Sequence, residues 1–584
     1  MADLRIYRTA MLPFVLAALL VAFSFTPRPR PLAATLSAEA FDGGTAMADL
    51  RVIAGRWADR RPGSAGDRGL AALMAFAFRH DGFTVRTLNR SGQTVAGRRT
   101  LETVIATRAG RSSRGIVLVA HRDAAQPGSL AELSGTAALV ELGNVLSGRV
   151  TQRTVTLIST SGGSGGDAGA AVAAATLGRP VDAVIVLGDV AGSHPRRPYI
   201  LPWSDGSQIA PIQLRRTVEL ALTLELGRSP GGTASTDQLA RLAFPIAVSE
   251  QGPFLAAGLP AVLVQSSGEL GPRPGDAVSP ALMTAFGRGV LRAVTALDEG
   301  PDLQGGPTRD LLLGVRVLPG RGFALLVGTL IIAVMLSAVD VLARAMRRRE
   351  PVLAWLACIG ADAIPFALAG IFAVLLGRTG LLRAAPNGPV TSRQLPLDLG
   401  ANAALLSVAA VFGLAWMLRA AARKRVRPVE PPAAAAAAAL MLTLAILAAL
   451  VWIRNPFAAA LLLVPLHLWL FATALEPPVR RGIALALVLA ALAPLAALAG
   501  LDAARLELGP LSFAWTALLL VAGGHIGLAA LLAWCIAAGC LVGALEIAAQ
   551  RPRDRPLEPA VTVRGPLTYA GPGSLGGTDS ALRH

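Results

Sequence analysis

The sequence predicts a three-layer α/β/α sandwich with a mainly parallel sheet, joined to a polytopic α-helical transmembrane domain. Three observations support this prediction, two for the transmembrane domain and one for the α/β domain. Apolar residues make up 53% of the 584 residues, above the roughly 45–50% of soluble proteins. The excess lies in one N-terminal stretch and in residues 322–549, whereas the residues between them have the composition of a globular domain. In that central part, apolar β-branched runs alternate with helical stretches.

The apolar stretches predict about eight membrane spans, since roughly 20 apolar residues cross a bilayer. The first, residues 9–25, follows Arg5 and Arg8. No small-x-small cleavage site comes directly after it, so we expect a retained signal anchor rather than a cleaved signal peptide. We expect Gly523-Gly524-His525 to break the last predicted span. The later predicted spans are residues 323–345, 352–377, 401–418, 433–453, 457–475, 483–500 and 511–547.

Basic residues between the spans set the predicted orientation. They cluster in alternate loops, at 347–349, 423–427 and 480–481, and cytoplasmic loops are the basic ones. Both termini are therefore predicted to be cytoplasmic, and residues 27–321 extracytoplasmic, in a multi-pass protein of the cell membrane. The net charge of +17 reflects these loops. We expect the lipid bilayer as a partner, other membrane proteins or peptides as further candidates, and no nucleic acid.

The predicted organisation has six parts along the chain. These are a signal anchor (1–26), a proline-rich stalk (27–44), the extracytoplasmic domain (45–300), a linker (301–321), a transmembrane domain of about seven helices (322–549) and a disordered cytoplasmic tail (550–584). The three cysteines, Cys358, Cys535 and Cys540, all lie inside predicted spans. The extracytoplasmic domain is therefore expected to fold without disulfides.

Strands and helices alternate along the extracytoplasmic domain, which predicts parallel strands with helices packed on the sheet. Ligand sites in such sheets lie outside the carboxyl ends of the strands. Helices are predicted first at residues 46–59 and 69–80, and a strand begins at residues 83–85. The predicted buried strands are residues 101–107, 115–120, 154–160, 181–187 and 260–264, and the helices between and after them are residues 134–146, 167–177, 211–226 and 280–298.

Polar motifs follow several of these strands. His121-Arg122-Asp123 comes after one strand, and Asp189-Val190-Ala191-Gly192 after another. Ser249-Glu250-Gln251 precedes the last predicted strand. With the turn Arg61-Pro62-Gly63-Ser64, the ordered set resembles the M28 family of zinc aminopeptidases over roughly residues 45–298. The resemblance implies a zinc-exopeptidase fold. It also implies a site with two zinc ions, five side-chain ligands and a glutamate general base.

The family's site residues carry over only in part. His121 matches the first metal ligand, Asp123 the carboxylate that orients it, and Asp189 a later ligand. Ala131 stands where the family has its bridging aspartate, and Arg273 where it has its last histidine. The positions of its two adjacent glutamates fall on Gly163 and Ser164.

These losses predict a degenerate metal site. Without the bridging carboxylate two cations repel each other, and a positive charge at Arg273 opposes metal binding further. Glu132 is next to Ala131, but we expect its side chain to point elsewhere. The resemblance therefore implies no bound cofactor, with zinc present only if the site is functional.

Two other chemistries are compatible with the sequence. Gly162-Gly163-Ser164-Gly165-Gly166 matches the nucleophile-elbow pattern, with Ser164 as nucleophile, Asp189 as acid and His194 as the later histidine. Asp362 and His467 lie at mid-depth in predicted spans, where ionisable groups are costly and often functional. They are candidates to pair and line a lipid or substrate cavity, or to make separate interhelical hydrogen bonds.

Three functions follow from this reading. The leading hypothesis is a non-catalytic M28-like scaffold or peptide-binding module in a membrane complex. The second is an active membrane-bound zinc aminopeptidase with an unusual site. The third is a transporter or lipid-handling protein with an accessory external domain. In architecture alone, the chain is similar to multi-spanning M28 membrane proteases and to the attachment subunit of the glycosylphosphatidylinositol transamidase.

Overall fold

The computed structural model describes residues 4–34, 38–178, 180–193, 197–232, 234–303, 305–382, 388–426, 433–474 and 479–551. The predicted cytoplasmic tail beyond residue 551 lies outside the described residues, and so does His194.

The first described helices, α1 (Leu4–Ala10) and α2 (Leu12–Ser24), form one candidate span. The hydroxyl of Tyr7 in this span lies 2.8 Å from Nδ1 of His467. The first span therefore contacts the rest of the transmembrane domain through a polar side-chain pair. Its retention after synthesis stays a prediction.

The short strand β1 (Thr26–Pro27) leads from this span into the α/β domain. The helices and strands of that domain are α3 (Gly43–Arg56), α4 (Ala65–His80), β2 (Thr84–Thr94), β3 (Gly97–Arg108), β4 (Ser112–His121), α5 (Leu130–Ser147), β5 (Arg153–Thr160), α6 (Ala168–Thr176), β6 (Val181–Leu187), β7 (Tyr199–Leu201), α7 (Ile212–Leu226), α8 (Ser235–Ala243), α9 (Gln251–Ala256), β8 (Ala261–Gln265) and α10 (Pro280–Glu299).

The large sheet of the described residues has the order β2-β3-β5-β4-β6-β8-β7. Its four central strands, β5, β4, β6 and β8, run parallel. The remaining pairings are antiparallel. The sheet is therefore mixed, and the prediction of a mainly parallel sheet was wrong at its edges. β2 and β3 must be antiparallel because only residues 95–96 connect them, too few for a crossover.

The central strands carry continuous apolar runs because their side chains are covered on both faces. In β4, Ile116, Val117, Leu118 and Val119 are all buried. The same holds for Ala183–Leu187 in β6. This burial explains why the runs were recognisable in the sequence.

A second, small sheet lies where the α/β domain joins the transmembrane domain. It consists of β1, β9 (Leu311–Leu313) and β10 (Arg316–Leu318). β1 pairs with β10 so that Thr26 lies opposite Val317. The chain segments that enter and leave the α/β domain are therefore hydrogen-bonded neighbours. β9 and β10 lie within residues 301–321, which were predicted to be a linker, and β1 lies where the predicted signal anchor meets the stalk.

Within the described residues, eight helices are long and apolar enough to cross a membrane. This agrees with the predicted number of spans; their orientation stays a prediction. The last predicted span is broken after Ala522, as expected from Gly523-Gly524. The helices of the C-terminal part are α11 (Gly320–Arg347), α12 (Val352–Arg378), α13 (Leu399–Val426), α14 (Ala433–Arg454), α15 (Pro456–Thr473), α16 (Arg481–Ala490), α17 (Ala493–Arg505), α18 (Pro510–Ala522) and α19 (Leu528–Ala549).

Several segments of the transmembrane domain contact the α/β domain. Between α14 and α15, Asn455 donates a hydrogen bond to the carbonyl of Leu242 at 2.8 Å. At the end of α17, Arg505 pairs with Asp237 of α8. The described segment just before α13, residues 388–398 (the roof loop), also reaches the α/β domain, where Arg393 donates a hydrogen bond to the carbonyl of Gly271 at 2.9 Å. The α/β domain therefore rests on one end of the helix bundle.

Candidate functional site

A cleft of about 190 Å³ opens at the carboxyl ends of the parallel strands. Its polar lining comes from both domains. Strand ends and adjoining loops of the α/β domain supply most of it, and Arg393 and Gln394 of the roof loop supply the rest. The side chains with charge that line it include His121, Glu132, Asp189, Glu250, Glu269 and Arg393.

His121 ends β4 and faces the cleft. Its Nδ1 lies 3.1 Å from the main-chain carbonyl of Asp123, and 3.7 Å from the Asp123 carboxylate. Burial lowers the pKa of His121, but the negative charges of Asp123 and Glu250 outweigh burial, and the pKa lies above its usual value. The hydrogen bond that orients the imidazole is thus made by the backbone, rather than by the carboxylate that we expected.

The carboxylate of Asp123 holds a loop instead. Its Oδ1 accepts a hydrogen bond from the amide of Gly163 at 3.0 Å. Its Oδ2 accepts from the amide of Ser164 at 3.1 Å and from the hydroxyl of Ser164. Asp123 therefore fixes the glycine-rich segment that follows β5.

Asp189 follows β6 and is also committed to hydrogen bonds. Its Oδ1 accepts from the hydroxyl of Ser134 at 3.0 Å and from the amides of Ala191 and Gly192 at 3.0 and 2.7 Å. Its Oδ2 accepts from the hydroxyl of Ser266 at 3.0 Å. Both oxygens of this buried carboxylate are occupied, so Asp189 ties the loops after β6 and β8 to helix α5.

Two glutamates face His121 in the cleft. Glu132 lines the cleft, so the expectation that its side chain points elsewhere was wrong. Burial raises its pKa to about 7, against the opposing charges of His121 and Arg60. Glu250 lies just before α9, and burial raises its pKa as well, with His121 opposing. The sequence placed neither residue in the site.

Gly163 leaves the room that Glu250 occupies. A Cβ atom at position 163 would lie 2.5 Å from Cβ of His121 and 2.9 Å from Cδ of Glu250. The hydroxyl of Thr160 donates to Oε1 of Glu250. A carboxylate is therefore present at this point of the cleft, but it arrives from a different part of the chain than in the M28 pattern.

Arg273 does not line the cleft. Its guanidinium is half-exposed and pairs with Glu507 at 3.0 Å. Arg393 of the roof loop pairs with the same carboxylate at 2.8 Å and donates to the carbonyl of Gly271 at 2.9 Å. Glu507, between α17 and α18, thus joins a loop of the α/β domain to the roof loop. The expected repulsion between Arg273 and a metal ion in the cleft does not arise in this geometry.

The two zinc ions implied by the M28 resemblance do not fit the residues present. Ala131, buried in α5, offers no ligand oxygen. The oxygens of Asp123 and Asp189 are already occupied by hydrogen-bond donors. In the part of the chain that the structure describes, no group of three or more His, Cys, Asp or Glu side chains is placed to hold a metal ion.

The serine-nucleophile arrangement finds little support in the geometry. The hydroxyl of Ser164 donates to Asp123 and not to a histidine. A nucleophilic serine needs its proton directed at a general base such as histidine. His194, the partner considered from the sequence, lies outside the described residues, so its role stays a prediction.

The structure does not bring Asp362 and His467 together. Asp362, in α12, accepts a hydrogen bond from Nε of Arg419 at 2.7 Å, and Arg423 lies 3.4 Å away. His467 instead contacts Tyr7. Each residue thus makes a separate interhelical contact, which was the simpler of the two expectations.

No protein-family model matches the chain, and no curated protein matches its sequence. Solved structures do match. The chain is similar to glutaminyl cyclase of Porphyromonas gingivalis, with 16% identity and a TM-score of 0.36 over 44% of this chain and 98% of that chain. It is also similar to BSAP, a zinc aminopeptidase from Bacillus subtilis, with 12% identity and a TM-score of 0.35 over 44% of this chain and 94% of that chain.

A third similar structure is a zinc-dependent exopeptidase from Parabacteroides distasonis, with 15% identity and a TM-score of 0.34 over 43% of this chain and 97% of that chain. The similar structures thus include zinc-dependent exopeptidases and glutaminyl cyclases, at low identity and with partial coverage of this chain.

Proposed function

We propose that this chain is a membrane-anchored, peptidase-like binding module that holds a ligand with a cationic amino group in its cleft, without a metal ion. The observation that carries the proposal is the pair of carboxylates, Glu132 and Glu250, which face the cleft beside His121. The peptidase-like character rests on the M28 motifs of the sequence. In this proposal the α/β domain lies outside the cell membrane and serves as a scaffold in a membrane complex.

The hydrogen bonding of Glu250 favours a cationic ligand. Its Oε1 accepts from Thr160, but its buried Oε2 accepts no hydrogen bond from any described residue. Leaving a buried acceptor without a donor costs about 1–3 kcal/mol, and more when the group is charged. An ammonium group supplies both a donor and the opposite charge. The amino terminus of a peptide is the ligand of this chemistry that fits a cleft of this size.

Glu250→Gln is expected to weaken binding of L-norleucinamide by about 10- to 100-fold, because a charge-assisted hydrogen bond contributes about 1.5–3 kcal/mol. Binding is measured by calorimetry on the full chain in detergent micelles, with N-acetyl-L-norleucinamide as the uncharged ligand. Glu299→Gln, at the exposed end of α10, is the control variant and should bind as the wild type does.

Two outcomes would overturn this proposal. Equal affinity for the free and the acetylated amide would show that the amino group is not recognised. Stoichiometric zinc in the purified protein, with amide hydrolysis that is lost in His121→Ala, would favour the active aminopeptidase instead.

The affinity for L-norleucinamide is expected to rise several-fold between about pH 5.5 and 7. The pKa of Glu132 is about 7, so its carboxyl gains negative charge in this range. Amino groups of this type, with pKa values near 7.7–8.0, remain mostly charged there. His121, which faces both glutamates, also loses positive charge as the pH rises. Glu132→Gln should flatten the calorimetric pH profile, and an unchanged profile would contradict the role given to Glu132.

A further inference from the structure

A third glutamate lines the cleft on the side that faces the transmembrane domain. Glu269 lies in the loop after β8, and its side chain is only 3% exposed. Its Oε1 accepts a hydrogen bond from Nη2 of Arg241 at 2.7 Å. Arg241 belongs to α8, and its side chain is 1% exposed. The position of the Glu269 carboxylate is thus set by a buried guanidinium.

Arg241 has a second carboxylate partner in the transmembrane domain. Its Nη1 lies 3.0 Å from Oδ1 of Asp502. Asp502 lies in α17, within the candidate span Arg481–Arg505. Three buried charged groups therefore form a line from a membrane helix to the wall of the cleft.

The charges in this line do not balance. When both carboxylates are ionised they share one guanidinium, and the nearby Arg505 is paired with Asp237, so the line carries one net negative charge in a buried place. Oε2 of Glu269 is buried and accepts no hydrogen bond from the described residues. A buried, uncompensated charge is costly unless an opposite charge pairs with it. The open side of Glu269 is the cleft. Arg393, which also lines the cleft, is paired with Glu507, so a cation that completes the pairing of Glu269 is expected to come from a ligand in the cleft.

We propose that Glu269 binds a second cationic group of the ligand, and that Asp502 is a positioning residue acting on Glu269 through Arg241. This inference rests on the proposed function, in which Glu132 and Glu250 hold the ligand's amino group. The ligand class is a peptide whose first residue is lysine or arginine. In this proposal the aliphatic stem of such a side chain packs against apolar lining residues, among them Leu263 and Leu270.

Asp502 affects the charge of the cleft because its carboxylate pairs with one nitrogen of the Arg241 guanidinium. Without the Asp502 carboxylate, Arg241 has Glu269 as its one remaining partner in the line and neutralises it. The cleft then loses its attraction for the second cation while its shape is preserved. A role of Asp502 in folding alone would instead weaken every ligand equally.

The test compares L-lysinamide with L-norleucinamide, which differ only in the terminal ammonium of the side chain. Calorimetry on the full chain in detergent micelles is expected to show about tenfold tighter binding of L-lysinamide. Glu269→Gln and Asp502→Asn should each remove most of this preference and leave the affinity for L-norleucinamide within about twofold. Asp502→Glu should restore it in part.

A double variant tests whether Asp502 acts on the ligand through Glu269. If Asp502 acts through Glu269, the combination of Glu269→Gln with Asp502→Asn loses no more preference than either change alone. Additive losses would overturn the positioning role. Equal affinity of the wild type for L-lysinamide and L-norleucinamide would overturn the preference for a basic first residue while leaving the proposed function intact. Failure of the wild type to bind L-norleucinamide in preference to its acetylated form would instead sink the proposed function.

Discussion

Arg122→Met is expected to lower the free energy of unfolding of the α/β domain by about 3–5 kcal/mol, because it leaves a buried carboxylate without its partner. Arg122 lies directly under the cleft and is fully buried. Its Nε lies 2.9 Å from Oδ1 of Asp67. Its other nitrogens donate to the carbonyls of Ser159 and Glu102. One side chain therefore joins α4, β3 and β5.

Hydrogen exchange of the full chain in detergent micelles measures this effect, with protection of the β4 amides reporting local and global opening of the sheet. Arg61→Met is the matched control. Arg61 also pairs with an aspartate, Asp59, but the two side chains are 60% and 48% exposed. Exposed pairs contribute roughly 0–1 kcal/mol. Equal protection losses in the two variants would contradict the importance given to burial.

Gly163→Glu, which reintroduces a carboxylate of the M28 pattern, is expected to destroy the cleft and gain no zinc. Its Cβ would lie 2.5 Å from Cβ of His121 and 2.9 Å from Cδ of Glu250. Overpacking of this kind typically costs about 1–3 kcal/mol. The displaced side chains, His121 and Glu250, are those that face the ligand's amino group in the proposed function. Binding of L-norleucinamide should therefore fall below the limit of calorimetric detection.

Zinc content by elemental analysis and calorimetry together test this expectation. Gly55→Ala is the control, since nothing lies within 4 Å of the added Cβ in α3. Alanine is a better helix former than glycine, so the control should be neutral or stabilising by up to about 1 kcal/mol. Stoichiometric zinc in Gly163→Glu would show that the site is restorable and would argue against metal-free function.

The central strands were predictable because burial on both faces leaves a continuous apolar run, and the candidate spans because crossing a bilayer requires roughly 20 apolar residues. β3 was only half recognised. The sequence indicated residues 101–107, whereas the strand is Gly97–Arg108. Its first residues, such as Arg98 and Arg99, are exposed, so no apolar run marks them. The β2–β3 hairpin extends beyond the sheet's core, and Val95 at its tip packs against helices of the transmembrane domain.

The site was predictable where it depends on strand ends. His121, Asp123, Ser164 and Asp189 were brought to one region because parallel strands end at one edge of the sheet. Glu250 and Glu269 come from loops, where no periodicity links residue type to direction. The contribution of the roof loop was not predictable, because it depends on how the two domains pack and the hydrophobic pattern of the sequence does not encode that packing.

The small sheet that pairs Thr26 with Val317 has a consequence for biosynthesis. Chains emerge from the N-terminus and domains fold largely as they appear. β1 is made first, yet its partner β10 follows only after the whole α/β domain has been synthesised. The roof loop comes one span pair later, and Asp502 later still. A newly made α/β domain therefore has an unfinished cleft, and the ligand binding that we propose becomes a property that only the fully synthesised chain acquires.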